Sequence, residues 1–325
     1  MSARRRLLLQ LASGALGARF AIAADRPKVI GILNAYVPAD VRAALDTFER
    51  ELKQLGHAKG THYVTIERMA EGKLERLRAM AEELVRSNVD VILAAPSNAV
   101  AEAQRATSTI PIVFSSVSDP VRQGFADSLA RPGRNLTGVS NNLGELGPKR
   151  LELLKQMVPH LERLAILATA QTPTYPASVE GLRRSAEALG WRIAVFEAKL
   201  PLDLRVVFNE MAPRKPDALY VAGDAILWSK RRQLANLALQ GRLPTMFLFV
   251  EHGEAGGLMS YGVDPHDGMR QCAGYVDKIF KGARPGDLPI QQPSKIDLVI
   301  NQGTADMLQL RIPGALRLQA ARIIG

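Results

Sequence analysis

The chain has 325 residues, 47% of them hydrophobic and 23% charged, with a net charge of +10. This composition excludes a disordered polymer and suits about two globular domains. Basic residues are interspersed with acids and no basic patch is interleaved with aromatics, so nucleic acid is not the expected partner.

The first 24 residues contain Arg4, Arg5, Arg6 and Arg19 and no acid. Three arginines leading into LLLQLASGALGARFAIAA read as a signal peptide over 1–23, with cleavage after Ala23. Arg4-Arg5-Arg6-Leu7-Leu8 also resembles a twin-arginine signal, which adds that export route as an expectation. The alternative is an amphipathic or disordered tail. No later stretch holds the ~20 apolar residues of a membrane span. Cys272 is the single cysteine, so no internal disulfide can form, and it is far from any lipid-attachment position. It lies in a helical pattern and reads as a buried structural thiol. The five histidines are scattered, without metal-ligand spacing, and no metal or cofactor is expected.

In chain order, Lys28 to Leu33 predicts a buried strand that ends in the loop Asn34 to Pro38. Asp40 is expected to cap a helix with apolar positions Val41, Ala44, Leu45, Phe48, Leu52 and Leu55. A strand at Tyr63 to Glu67 and a helix through Leu74 to Val85 follow. Val89 to Ala95 predicts a strand ending in Pro96-Ser97-Asn98, and a helix runs to Thr107. Ile110 to Phe114 predicts a buried strand that stops at Ser115-Ser116-Val117-Ser118-Asp119-Pro120. Such a run ends either in a binding loop or in a plain Ser/Asp turn. A short strand, Leu136 to Ser140, closes this run of elements.

The grammar then repeats. Helix Leu146 to Val158, strand Leu164 to Ala168, helix Ala177 to Leu189, strand Arg192 to Glu197 and a helix through Leu204 to Met211 come in turn. Strand Ala218 to Ala222 ends in Gly223-Asp224; helix Ser229 to Gln240 leads to strands at Pro244 to Val250 and Gly257 to Tyr261. A helix from Asp267 to Lys281 and a Pro-rich segment, 284–293, precede a last strand, Ile296 to Ile300, and a helix, Thr304 to Leu310. Two successive runs of alternating strands and helices argue two α/β lobes with parallel sheets. No G-x-G-x-x-G, P-loop, nucleophile elbow or Ser/His/Asp set occurs, so an enzyme is not expected.

Several blocks carry a family likeness: IPIVF with Ser118-Asp119-Pro120, LARPGRNLTGV over 129–139, KRLELL over 149–154, EAGGLMSYG over 254–262, and YVDKI over 275–279 followed by Gly282-Ala283-Arg284-Pro285 and Asp287-Leu288-Pro289. With them the chain resembles the ABC-transporter substrate-binding proteins of the type I periplasmic binding fold, in the branch containing tryptophan- and phenylalanine-binding proteins. The resemblance implies two Rossmann-like lobes joined by three crossovers that close like a flytrap on a small ligand, as a monomer. A membrane permease of an ABC importer would read the closed form; a sensing module using the same closure is the alternative. It implies an N-terminal lobe of 27–141 plus 262–285 and a C-terminal lobe of 142–261 plus 291–325, in the periplasm. The expected ligand is an amino acid or related small molecule. Site residues expected from strand-end loops are Asn34, Tyr36, Ser97, Asn98, Ser118 and Asp119 in the first lobe, and Thr174, Tyr175, Asp224 and Tyr261 in the second. Asp119 and Asp224 could each meet a cationic group of the ligand or only brace a turn. Trp191 and Trp228 read as packing residues.

Overall fold

A computed structural model describes residues 26–141, 145–169, 175–199, 202–223, 225–293 and 295–325. The elements are β1 (Lys28–Asn34), α1 (Pro38–Gln54), β2 (Tyr63–Met69), α2 (Leu77–Arg86), β3 (Val91–Ala95), α3 (Ser97–Ala106), β4 (Ile112–Val117) and β5 (Leu136–Ser140). They continue with α4 (Gly147–Met157), β6 (Arg163–Thr169), α5 (Tyr175–Glu187), β7 (Arg192–Ala198), α6 (Leu204–Met211), β8 (Ala218–Val221), α7 (Ala225–Ser229), α8 (Arg231–Gln240), β9 (Thr245–Phe247) and α9 (Val250–Glu254). The last are β10 (Met259–Gly262), α10 (Pro265–Phe280), β11 (Asp297–Asn301), α11 (Gln302–Met307), α12 (Gly314–Gln319) and β12 (Arg322–Ile324).

The strands form two sheets, ordered β2-β1-β3-β4-β5 and β12-β11-β10-β9-β8-β6-β7. The first is wholly parallel. The stretch β7-β6-β8-β9-β10 repeats its order, also parallel, so the second run of the sequence rebuilds the first. Strands β1, β3 and β6 are buried nearly throughout, and their apolar runs follow from having helices on both faces. Two additions distinguish the second sheet: β11 pairs antiparallel with β10, and β12 parallel with β11.

The chain passes between the sheets three times. Beyond β5 it enters the second; beyond β10 it returns, because α10 packs on α1, β4 and β5. The 284–293 segment then lies along the edge of β5, with Ser140 N–H donating to Gln291 O at 2.9 Å and Gln291 N–H to Gly138 O at 3.0 Å. Thr137 Oγ1 donates to Leu288 O at 2.8 Å. Cys272 is fully buried on α10, its Sγ 3.6 Å from Phe114 O, and burial pushes the thiol pKa well up. That is the structural thiol the helical pattern predicted.

The structure differs from the sequence reading in a few places. β4 does not stop at Phe114; it runs to Val117 through a register shift, with Ser116 at φ +57° and Ser115 buried. The bulge lets the serines stay in the strand although they break its apolar pattern. Asp40 is not a cap: Val37 is the N-cap of α1, and Asp40 lies in the first turn. The strand expected to reach Val250 ends at Phe247, and α9 begins at Val250. α12 and β12 follow Pro313, beyond the last helix expected from the sequence.

Candidate functional site

In a sheet ordered 2-1-3-4-5, neighbouring crossovers leave on opposite faces at one strand pair, and ligands collect at the strand carboxyl ends there. In the first lobe this point is between β1 and β3, where Asn34 pairs with Ala95. In the second lobe it is between β6 and β8. The loops that gather at these two points are those after β1, β3 and β4 on one side and after β6, β8 and β9 on the other, and they form the candidate site.

Asn34 is buried at the end of β1, and its Oδ1 accepts the Tyr36 N–H at 2.9 Å. This bends the chain and aims Tyr36 out of the sheet. Ser97 is buried as the first residue of α3, with Asn98 behind it in the first turn, where unpaired backbone N–H groups concentrate. Ser118 Oγ donates to Asn141 Oδ1 at 2.8 Å, tying the β4 and β5 loops together. Asp119 is exposed at φ +46°. Its Oδ1 accepts the Arg122 N–H at 3.1 Å, and Arg122 Nε lies 3.5 Å from the other oxygen. Of the two roles left open for Asp119, a ligand contact or a turn brace, the turn brace is provided by these two contacts. Tyr261 sits in β10 at a crossover, where its carbonyl accepts Arg150 Nε at 2.7 Å. Thr174 and Asp224 lie outside the described residues, as does the side chain of Tyr175.

The two lobes meet at Tyr36, which the sequence reading selected, and at Trp228, Arg231 and Asp40, which it did not select as site residues. The ring of Tyr36 lies 4.9 Å from that of Trp228, tilted by 57°. Trp228 does pack, as expected, but its partner belongs to the other lobe. Arg231, three residues on, places its guanidinium 4.2 Å over the Trp228 ring. Its Nη1 donates to Trp228 O at 3.1 Å and lies 2.9 Å from Asp40 Oδ1 of the first lobe. The side chains of Arg231 and Asp40 are only 16% and 15% exposed.

Two further ionisable groups are buried in the second lobe. Arg150 is fully buried on α4; besides Tyr261 O it reaches the Tyr220 hydroxyl at 3.3 Å, so it clamps α4 to the β10 crossover. Glu251, in the first turn of α9, has a buried Oε2 with no hydrogen-bond partner. Burial and the charges of Asp264 and Glu254 push its carboxyl up to about 7, against the pull of Arg231. Asp264 itself caps α10, its Oδ1 accepting the His266 N–H at 2.8 Å. His252 is buried beside Phe247 and Phe249, ring centroids 4.6 and 5.8 Å away, and burial holds its pKa down to about 3. It is a neutral packing group.

One signal for this junction was present in the sequence: Trp228-Ser229-Lys230-Arg231-Arg232 sets three cations at the start of a helix, the end that favours anions. A groove of about 600 Å³ at the other end of the first lobe, lined by Lys28, Asp90, Arg134 and Asp287 among others, lies away from the strand carboxyl ends.

Two α/β lobes with matching strand orders agree with the comparisons to known proteins. The model of a family described as ABC transporter substrate binding protein matches residues 36–324. The chain belongs to that family. A tyrosine-binding protein of Clostridioides difficile is 22% identical over 286 residues, covering 88% of this chain and 82% of the relative. Among solved structures, a conserved domain protein of Vibrio cholerae is 26% identical with a TM-score of 0.85, covering 92% of this chain and all of the other. A Streptococcus pneumonia domain in complex with L-Trp is 23% identical, also at 0.85, with the same coverage. Family and relatives are binding proteins, not enzymes. The type I periplasmic binding fold expected from the sequence is the fold observed.

Proposed function

We propose that this protein is the extracytoplasmic receptor of an ABC importer and captures a single amino acid or related small molecule between its lobes. The reading rests chiefly on the cleft junction, where Tyr36 and Trp228 bring an aromatic ring from each lobe together, and on a buried carboxyl within the electrostatic reach of Arg231, Glu251, whose Oε2 has no hydrogen-bond partner. Aromatic rings supply large contact area at small entropic cost, and a carboxyl can receive an ammonium group. The named ligands of two relatives, tyrosine and L-Trp, are aromatic amino acids and support this ligand class.

In this reading Asn34, Ser97, Asn98 and Ser118 supply the hydrogen-bonding rim of the first lobe, the N–H groups at the start of α3 favour the ligand carboxylate, and Asp119 shapes the rim without touching the ligand. Thr174, Tyr175, Asp224 and Tyr261 complete the second lobe's rim. The lobes divide at 141–142, 261–262 and 284–293. The closed form, as a monomer, docks on a membrane permease, and the N-terminal segment directs export. Among the described residues no helix is long and apolar enough to cross a membrane.

The test is a thermal-shift screen of the mature chain over the L-amino acids, because a ligand that binds only the folded state raises the melting temperature by mass action. A concentration-dependent rise with one or a few aromatic amino acids is expected. A melting temperature unmoved by every amino acid would contradict the ligand class.

A further inference from the structure

We propose that Asp40 and Tyr36 of the first lobe and Trp228 and Arg231 of the second form a latch that holds the lobes closed, with Arg231 as the positioning residue at its centre. The latch depends on the two-lobed fold and not on which ligand is carried.

Arg231 and Asp40 are each mostly withdrawn from water, and each finds its partner across the cleft at 2.9 Å. Arg231 also serves the aromatic half of the contact. Its guanidinium covers the face of Trp228 at 4.2 Å, while Tyr36 approaches that ring at 4.9 Å. One cation thereby fixes the Trp228 ring and ties its own lobe to the other. The four residues come from two short stretches, 36–40 and 228–231, so separating the lobes breaks both halves of the contact together.

The local sequence supports a role beyond folding. Lys230, Arg231 and Arg232 occupy the N-cap and first turn of α8, and that turn contains no acidic residue. Three cations at the positive end of a helix dipole are unfavourable for the helix itself. Local choices that conflict with the element carrying them mark functional positions. Asp40, in the first turn of α1, sits where a helix favours an anion and supplies the compensating charge. Desolvating such a pair offsets much of its attraction, so the latch is close to balance. A latch close to balance lets a ligand's differential affinity decide between open and closed states.

The experiment uses the ligand-free mature chain. Trp191 and Trp228 are its only tryptophans, so Trp191→Phe leaves Trp228 as the sole tryptophan, read by excitation on the red edge where tyrosine does not absorb. In that background, acrylamide quenching of Trp228 and the radius of gyration from small-angle scattering are compared among four forms: the parent, D40N, R231Q and the exchange D40R/R231D. The latch predicts that each single variant increases quenching by at least about twofold and enlarges the radius of gyration, and that the exchange returns both toward the parent. Should a charge variant fail to fold, Tyr36→Leu removes the ring contact without altering charge and is expected to increase quenching in the same direction. Single variants indistinguishable from the parent in both readouts would overturn the proposal. So would an exchange variant as open as the single ones, because the pairing would then not be specific. Neither result bears on the ligand class, which the amino-acid screen tests separately.

Discussion

The loop after β4 and the junction between α1 and α8 each present an aspartate at the edge of the cleft, and the two aspartates behave oppositely. Asp119 is exposed, sits in the left-handed region and holds the N–H of a residue three positions away. Asp40 is largely buried and holds a cation 191 positions along the chain, in the other lobe. The first is explained by turn chemistry and is complete without the second lobe. The second has no partner until the fold is assembled. A charged group at a cleft becomes informative when its partner is distant and both are removed from water, because only then does the contact depend on the relative placement of the lobes.

Four substitutions test the contrast between the two aspartates and the scaffold that holds them. The largest concerns the scaffold beneath the β4 loop. Gly138 in β5 has φ +154°, and a Cβ there would lie 2.1 Å from Phe114 O. Gly138→Ala should therefore cost about 3 kcal/mol or more, read as a fall in the denaturation midpoint, or prevent soluble expression altogether. An unchanged midpoint would mean that the β4–β5 contact is softer than it looks.

Next comes Glu251 in the second lobe. Its carboxyl, at about 7 in the folded chain against an ordinary 4.5, binds a proton more tightly when folded. The folded state is therefore favoured below pH 4.5 by this group. That advantage falls away as the pH rises from 4.5 to 7 and is gone above. Across this window the loss is on the order of 3 kcal/mol. Glu251→Gln should flatten this part of the stability profile, measured as melting temperature against pH in the ligand-free chain. An unchanged profile would show that Glu251 ionises as it would in water.

A smaller effect is expected for Arg231→Gln on ligand capture: roughly tenfold weaker affinity for the best amino acid in the screen, with stability changed by under about 1 kcal/mol. A large loss of stability without a loss of affinity would make Arg231 a folding residue. The smallest is Asp119→Ala, which removes the turn brace and should change affinity by less than about threefold and stability by about 0.5–1 kcal/mol. A tenfold loss of affinity at Asp119 would reverse the comparison and return the β4 loop to the centre of the site.

The elements and their alternation were legible in the sequence because buried parallel strands such as KVIGIL and VDVILAA are continuous apolar runs, and the helices between them keep a 3.6-residue rhythm. The repeat of that alternation exposed the two lobes. The short α9 and the late β12 were harder to read: five and three residues are too few for any periodicity to show. Asn34, Tyr36, Ser97 and Ser118 could be placed near strand carboxyl ends because strand-end loops are positioned by the sheet, and the sheet by its apolar runs. Trp228, Arg231 and Asp40 could not be paired from sequence, since nothing local links positions in two separately folded lobes. The odd cluster of cations opening α8 was the single local hint, and on its own it reads as a solvated face.

The central claim is that the cleft holding Tyr36 and Trp228 captures an amino acid. Isothermal titration of the mature chain with L-tyrosine and L-tryptophan, repeated on Trp228→Ala, tests it most directly. The account predicts saturable one-site binding of at least one of them to the parent and a loss of roughly tenfold or more in affinity on removing the Trp228 ring. Binding unaffected by Trp228→Ala, or no binding of either amino acid, would contradict it.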